Sequence, residues 1–151
     1  MPDLLPLKED DYPAILELTR KSTEPMLREA QGIELNEDLF KHMIGDEETT
    51  TLVLWDGETM AGYVAFYPQA DHVFINWLVI HPDYRNRGFA TMLLDEVGRI
   101  AARNDLRSLR ICLQQNNATA IALCEANGFQ RLSLEPMGWV MAKTVVPERG
   151  D

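Results

Sequence analysis

The stretch HPDYRNRGFATMLL, His81 to Leu94, gathers the residues best suited to hold an anion. Pro82, Asp83, Arg85, Arg87 and Gly88 have the composition of a tight turn, and Phe89, Leu93, Val97 and Ile100 then recur as one helical face. The preceding HVFINWLVI is apolar on both alternating sets, as a strand covered on both faces would be. The order is strand, turn, helix. The first N–H groups of a helix lack partners within it and lie at the positive end of its dipole, so such a junction attracts phosphate. Gly88 and the small Ala90 let the main chain come close to a ligand. The loop has neither G-x-x-x-x-G-K-[ST] nor G-x-G-x-x-G, which argues against a triphosphate P-loop and a dinucleotide cradle.

The elements that must position this loop follow from the same kind of pattern. LLPLK is a strand candidate, and Asp10 or Asp11 caps a helix with Pro13 in its first turn and Ile15 and Leu16 facing inward. STEPMLREAQGIEL reads as a polar, exposed connection. Asn36, Glu37 and Asp38 open a second helix whose inward side is Leu39, Phe40, Met43 and Ile44. TTTLVLW and TMAGYVAFY flank DGE and form a hairpin, with Gly62 marking a bulge. The helix opened by Gly88 runs to about Arg103, and SLRICLQ is a further strand. NNATAIALCEAN is a helix capped by Asn116 or Asn117 and stopped by Gly128. FQRLSL and WVMAKTV pair around the turn at Pro136 and Gly138.

The order β-α-α-β-β-β-α-β-α-β-β predicts an α/β protein, a mixed sheet with helices packed on it, in a single domain over residues 1–151. HVFINWLVI, its helix and SLRICLQ form a β-α-β unit with parallel strands and a right-handed crossover. Ligands of such units collect beyond the carboxyl ends of the strands, where Arg85 to Gly88 lie.

Composition narrows the partners. The net charge of −10 opposes general nucleic-acid binding. Residues 1–75 hold 16 acids against 5 bases, whereas residues 76–151 hold 8 against 9, with six arginines between Arg85 and Arg110. An anion can dock in that second half. Arg99, Arg103 and Arg107 read as solvated helix-face and edge residues, with Arg99 pairing Asp95. No apolar run is long enough to span a bilayer, and MPDLLPLKEDD lacks the form of a signal peptide, so a cytoplasmic protein without membrane partners is expected. Cys112, Cys124 and the three histidines have no metal-site spacing, so no metal is expected. His81 reads as a turn residue beside Pro82, and His42 and His72 as surface residues.

Arg85-Asn86-Arg87-Gly88-Phe89-Ala90 closely resembles the R/Q-x-x-G-x-G/A loop of the GNAT superfamily of acyl-CoA N-acyltransferases. LVIHPDYR is similar to that family's fourth-strand ending, and NNATAIALCEANGF to its N-x-x-A-x-x-L-Y-x-x-x-G-F segment. The likeness runs directly from Val73 to Phe129, and the remaining element order agrees. Singly, Gly88 suits any turn and Asn117 any helix cap; their joint spacing carries the resemblance.

It implies a mixed, mostly antiparallel sheet with a central parallel pair formed by the fourth and fifth strands and helices on both faces. It implies acetyl-CoA as co-substrate. Amides at Leu78, Val79 and Ile80 would meet the acetyl and pantetheine groups, and Asn86, Arg87, Gly88, Phe89, Ala90 and Thr91 would cradle the pyrophosphate, with Arg85 in the same binding set. Asn117 would bond the pantetheine arm. In the family the strand carrying Ile80 splays from the one carrying Cys112, and the thioester lies in the gap.

Two positions depart from the family. Cys124 stands where most relatives carry a tyrosine proposed to protonate the departing thiolate. Cys112 lies five residues before Asn117, where the similar branch that acetylates ribosomal-protein N-termini has a catalytic glutamate. Cys112, Cys124, Asn76 and Val79 are therefore the candidate catalytic positions, while both cysteines also suit a buried core as small apolar residues. A coenzyme A thiol of pKa about 8.5 is a tolerable leaving group near pH 7. Losing a general acid costs about 10²- to 10⁴-fold in rate, and an oxyanion donor from the amide of Val79 or Ile80 needs no particular side chain.

The acceptor side is open. Neutralising a lysine-like amine at pH 7 costs about 4.6 kcal/mol and an α-amine about 1.1 kcal/mol, which favours α-amines. Glu24, Glu29 and Glu34 would draw a cation such as a polyamine or a basic peptide, or are a solvated loop face. Three functions remain: an acetyl-CoA-dependent N-acetyltransferase acting on a small-molecule amine, a peptide or protein N-terminus, or a lysine by direct attack in a ternary complex; a catalytically weakened acyl-CoA-binding sensor or regulatory module; and a redox-responsive variant linking Cys112 to Cys124. A homodimer is compatible with all three.

Overall fold

The computed structural model describes residues 2–31 and 36–146, with residues 23–31 described by their backbone. Its elements are β1 (Asp3–Pro6), α1 (Tyr12–Gln31), α2 (Glu37–Ile44), β2 (Thr50–Asp56), β3 (Thr59–Gln69), β4 (His72–Ile80), α3 (Phe89–Arg103), β5 (Ser108–Leu113), α4 (Ala118–Ala126), β6 (Gln130–Glu135) and β7 (Gly138–Thr144). This is the expected order. Seven strands form one sheet in the order β1-β2-β3-β4-β5-β7-β6. β4 and β5 pair in parallel, whereas β1–β2, β2–β3, β5–β7 and β6–β7 are antiparallel. Two compact units divide the chain, Met1–Phe66 with Trp77–Leu93, and Tyr67–Asn76 with Leu94–Asp151.

In the first unit Ile15, Leu16 and Leu18 of α1, Phe40 of α2, Val53 of β2, Met60, Tyr63 and Ala65 of β3 and Val79 of β4 make one apolar cluster. Asn36 starts α2 as expected, its Oδ1 accepting the Leu39 N–H at 3.0 Å, and Phe40 packs edge-on against Trp77 with centroids 5.4 Å apart. Helix α1 begins differently from the sequence expectation. A 3-10 turn over Glu9–Asp11 precedes it, and the Asp11 carboxylate accepts the N–H of Lys8 at 2.9 Å.

The helix also runs on to Gln31, where a polar connection was expected. Pro25 lacks the N–H that would reach back one turn, so it costs a single hydrogen bond. The following Met26 to Gln31 are all strong helix formers and continue the helix. The side chains of Glu24 and Glu29, and all of Glu34, lie outside the described residues.

The hairpin of β2 and β3 forms around the DGE turn, with Gly57 at φ +62°. Its irregularity lies one residue from the expected place. Leu54 pairs with Gly62 and Trp55 with Met60, which leaves Ala61 as the extra residue.

In the second unit β4 runs parallel to β5 from His72↔Ser108 to Ile75↔Ile111, and β5 pairs β7 from Ser108↔Thr144 to Leu113↔Trp139. Val73, Ile75, Leu94, Val97, Ala101, Leu109, Ile111, Ile121, Cys124, Phe129 and Met141 are buried here. Gly128, at φ +93°, ends α4.

Two expectations fail in this unit. His72 is 7% exposed rather than on the surface, because it opens the parallel ladder; its ring meets Gln69 Oε1 at 3.2 Å and Asp71 Oδ1 at 3.4 Å. Arg99 pairs Glu96, at 2.9 Å, and not Asp95. No helix among the described residues is long and apolar enough to cross a membrane.

Candidate functional site

The end of β4 is gripped by β3. The bulged residue Ala61 turns its carbonyl to the N–H of His81, at 2.8 Å. Beside it, a Cβ added to Gly62 would stand 2.8 Å from both the Val79 carbonyl oxygen and Ile80 Cδ1, so glycine is the residue that lets the two strands approach this closely. Val79 is 3% exposed and its side chain belongs to the first unit's core. The Val79 side chain is therefore not available to a ligand. Leu78 and Ile80 are half-buried, and the Ile80 carbonyl accepts from the Ser22 hydroxyl at 3.4 Å.

From there the chain enters the arginine loop. His81 acts as the turn residue the sequence indicated, its Nδ1 accepting the N–H of Asp83 at 3.0 Å. Pro82–Tyr84 make one 3-10 turn. Asn86 and Gly88 then adopt φ of +63° and +79°, while Arg87 between them keeps the ordinary sign. Alternation of this kind turns successive N–H groups toward one concave side, a nest for anions.

Helix α3 follows at Phe89 without a break. Its first main-chain bond runs from the Met92 N–H to the Gly88 carbonyl, at 3.1 Å. Among the described residues no hydrogen-bond acceptor meets the N–H groups of Asn86, Arg87, Gly88, Phe89, Ala90 or Thr91. Beyond its chain neighbours, no described atom lies within 4 Å of where a Gly88 Cβ would stand. Six donors, two exposed arginines, Arg85 and Arg87, and the N-terminus of a 15-residue helix thus lie together in the stretch from Arg85 to Thr91. Ala90 is 7% exposed and packs inward, while Thr91 is half-buried.

The remaining candidates lie in the second unit. Asn117 caps α4, its Oδ1 accepting the Ala120 N–H at 3.2 Å; its NH2 group makes no hydrogen bond among the described residues. Asn76 is half-buried and directly follows Ile75, the last residue of β4 in register with β5. Cys112 is half-buried opposite Val140 on β7. Burial, and then the charge of Glu135, push its thiol upward. Cys124 is fully buried, and burial, assisted by Glu125, raises its thiol to about 11. Both thiols are free.

A model of the acetyltransferase (GNAT) family matches residues 12–129, a span that contains the arginine loop and α4. The chain belongs to the GNAT acetyltransferase family. As a GNAT protein it is similar to the uncharacterized N-acetyltransferase YfmK of Bacillus subtilis (strain 168), at 24% identity over 113 residues, 75% of this chain and 76% of that protein. Its fold is that of the ribosomal-protein-S18-alanine N-acetyltransferase of Escherichia coli, with a TM-score of 0.79 at 19% identity, covering 100% of this chain and 98% of the other. It is equally similar to the PaiA N-acetyltransferase of Thermoplasma acidophilum, solved in complex with coenzyme A, with a TM-score of 0.79 at 16% identity over 95% and 99% of the two chains.

Two features of this GNAT chain escaped sequence reasoning. Ala61 carries no signal of its own, because a bulge is a property of the register between two strands. Tyr84 sits in the turn as one more polar-loop residue, yet its hydroxyl bonds Asp56 at 2.8 Å, 28 positions away. An aromatic in a Pro-Asp turn was the available hint.

Proposed function

We propose that the protein is an acetyl-CoA-dependent N-acetyltransferase acting on a primary amine: a small molecule, a peptide or protein N-terminus, or a lysine. The unpartnered N–H groups from Asn86 to Thr91 carry this reading. A diphosphate has the acceptor oxygens such a run lacks, and the open space at Gly88 leaves room for it. In this proposal Arg85 and Arg87 add positive charge, the main chain of Leu78, Val79 and Ile80 meets the acyl and pantetheine portions, and the NH2 group of Asn117 serves the pantetheine arm. Bound acetyl-CoA supplies an activated acyl thioester. The chain's own contribution is to orient that thioester and to donate a main-chain N–H, at Val79 or Ile80, to charge developing on the carbonyl oxygen.

The amine attacks after losing its proton, which at neutral pH favours α-amines over lysine. Cys124 is a poor proton donor in this setting, being buried with its thiol near 11. The coenzyme thiolate leaves with a pKa of about 8.5 and takes its proton from solvent.

The buried Cys124 also favours a second reading, a catalytically weakened acyl-CoA-binding sensor or regulatory module. Incubation with acetyl-CoA and a panel of amines and peptides, with free coenzyme thiol followed over time, separates the two. Turnover with any acceptor supports the enzyme. Tight coenzyme binding with no turnover across the panel supports the module, and no coenzyme binding at all overturns both.

A further inference from the structure

Tyr84 stands at the centre of the arginine loop. Its ring stacks on Phe89 with centroids 5.6 Å apart and an interplanar angle of 22°, and meets the His81 ring edge-on at 5.5 Å. The Arg87 guanidinium lies over the same ring, 5.0 Å from its centroid. Three residues of the segment from His81 to Phe89 are thus arranged around one side chain. The hydroxyl leaves the loop altogether and donates to Asp56 Oδ2 at 2.8 Å. Asp56 is the last residue of β2, paired with Thr59 across the turn that holds Gly57 at φ +62°. The hairpin is a rigid foundation, because β2 and β3 are zipped along their length.

The loop itself lacks such support. Asn86 sits at φ +63° although it is not glycine, and the N–H groups from Asn86 to Thr91 find no acceptor among the described residues. Asparagine tolerates left-handed backbone better than other side-chain-bearing residues, yet the conformation persists only where its surroundings hold it. The His81 N–H bond to Ala61 fixes the start of the loop, and the ring of Tyr84 with its anchor on the hairpin holds the part that follows.

We propose that Tyr84, held by Asp56, is a positioning residue that sets the arginine loop in its anion-receiving shape before the coenzyme arrives. The proposal rests on the coenzyme reading above and adds a residue on another element to it. Tyr84 need not touch the ligand. It fixes Arg87 by stacking and Phe89 by packing, so that the intervening N–H groups point together. Binding then pays less ordering entropy than it would with a loose loop.

Calorimetry with coenzyme A, beside thermal unfolding of the ligand-free protein, tests this. Tyr84→Phe keeps the ring and removes the hydroxyl with its bonds to Asp56 and Thr59. Its coenzyme Kd is expected to rise about 3- to 10-fold, the equivalent of one modest hydrogen bond, with the melting temperature of the ligand-free protein unchanged. Asp56→Ala should weaken binding by no more than this, because Thr59 still meets the hydroxyl; the double variant should be no weaker than Tyr84→Phe alone, and Asp56→Asn, which keeps an acceptor, should restore most of the affinity. Wild-type binding with equal affinity in Tyr84→Phe would overturn the role of Tyr84 alone, as would a double variant whose losses add. Absence of heat with the wild type would instead overturn the coenzyme reading itself.

Discussion

Gly88 combines a φ of +79° with empty space where a Cβ would go, and the two facts have separate consequences. A β-branched residue there finds open space for its Cβ but strains the backbone, by roughly 1–2 kcal/mol, and would fill the room a diphosphate needs. Gly88→Val is therefore expected to lose at least about tenfold in coenzyme A affinity while still unfolding cooperatively; unchanged affinity by calorimetry would remove the loop from the site.

At Cys124 the consequence is one of stability. Its native thiol is raised from the ordinary 9.0 to about 11, so the folded chain keeps this proton where the unfolded chain gives it up. The associated stability is intact below pH 9 and is lost as pH climbs toward 11. The loss is on the order of 2–3 kcal/mol for a shift of this size. Urea unfolding across that range should show the decline in wild type and a flatter profile in Cys124→Ala. Parallel profiles would show that the thiol is not the cause. The sequence made Cys124 a candidate core residue by its type, but the size of the shift depends on burial by neighbours it does not specify.

Among the elements, the contact between β3 and β4 sets where the arginine loop begins. The Gly62 position leaves 2.8 Å to the Val79 carbonyl, a main-chain atom that cannot rotate away. Gly62→Ala should cost about 1–3 kcal/mol through overpacking and should also weaken coenzyme binding, since β4 must shift. A thermal melt and a titration check both halves, and a lowered melting point with full affinity would uncouple the strand contact from the loop. Sequence reasoning named Gly62 as irregular for a different reason, and the observed extra residue is Ala61. The helix caps were legible because Asn36 and Asn117 each bond an N–H three residues ahead, inside the window a pattern covers. The continuation of α1 through Pro25 was not. Proline and the polar run around it are local signs of an ending that the helix formers beyond them overrode.

For the whole molecule, the uneven charge is the property with the widest reach. Acids outnumber bases by 11 over residues 1–75, whereas residues 76–151, which include the arginine loop, carry one excess base. Under the proposed function the arginine loop would favour the anionic coenzyme locally, while the chain's overall negative charge would favour a cationic acceptor. With acetyl-CoA saturating, a polyamine or basic peptide is expected to half-saturate at lower concentration than an acidic peptide. The difference should shrink as sodium chloride rises from about 20 to 300 mM, where the Debye length falls from roughly 20 to 6 Å. A ratio insensitive to salt would show that acceptor choice is made by shape and contact.

Local sequence settled the order of strands and helices, the hairpin at DGE, the caps, and the turn that joins β4 to α3. Each of these is written in residues within a turn or two of one another, where alternation, capping and turn chemistry act. Tertiary structure decided the rest: the bulge at Ala61, the burial of His72, the raised thiol of Cys124, and the bond that ties Tyr84 to Asp56 across 28 positions. These depend on which distant segments come to lie together. That outcome is set by packing the whole core, and no short window of residues contains it.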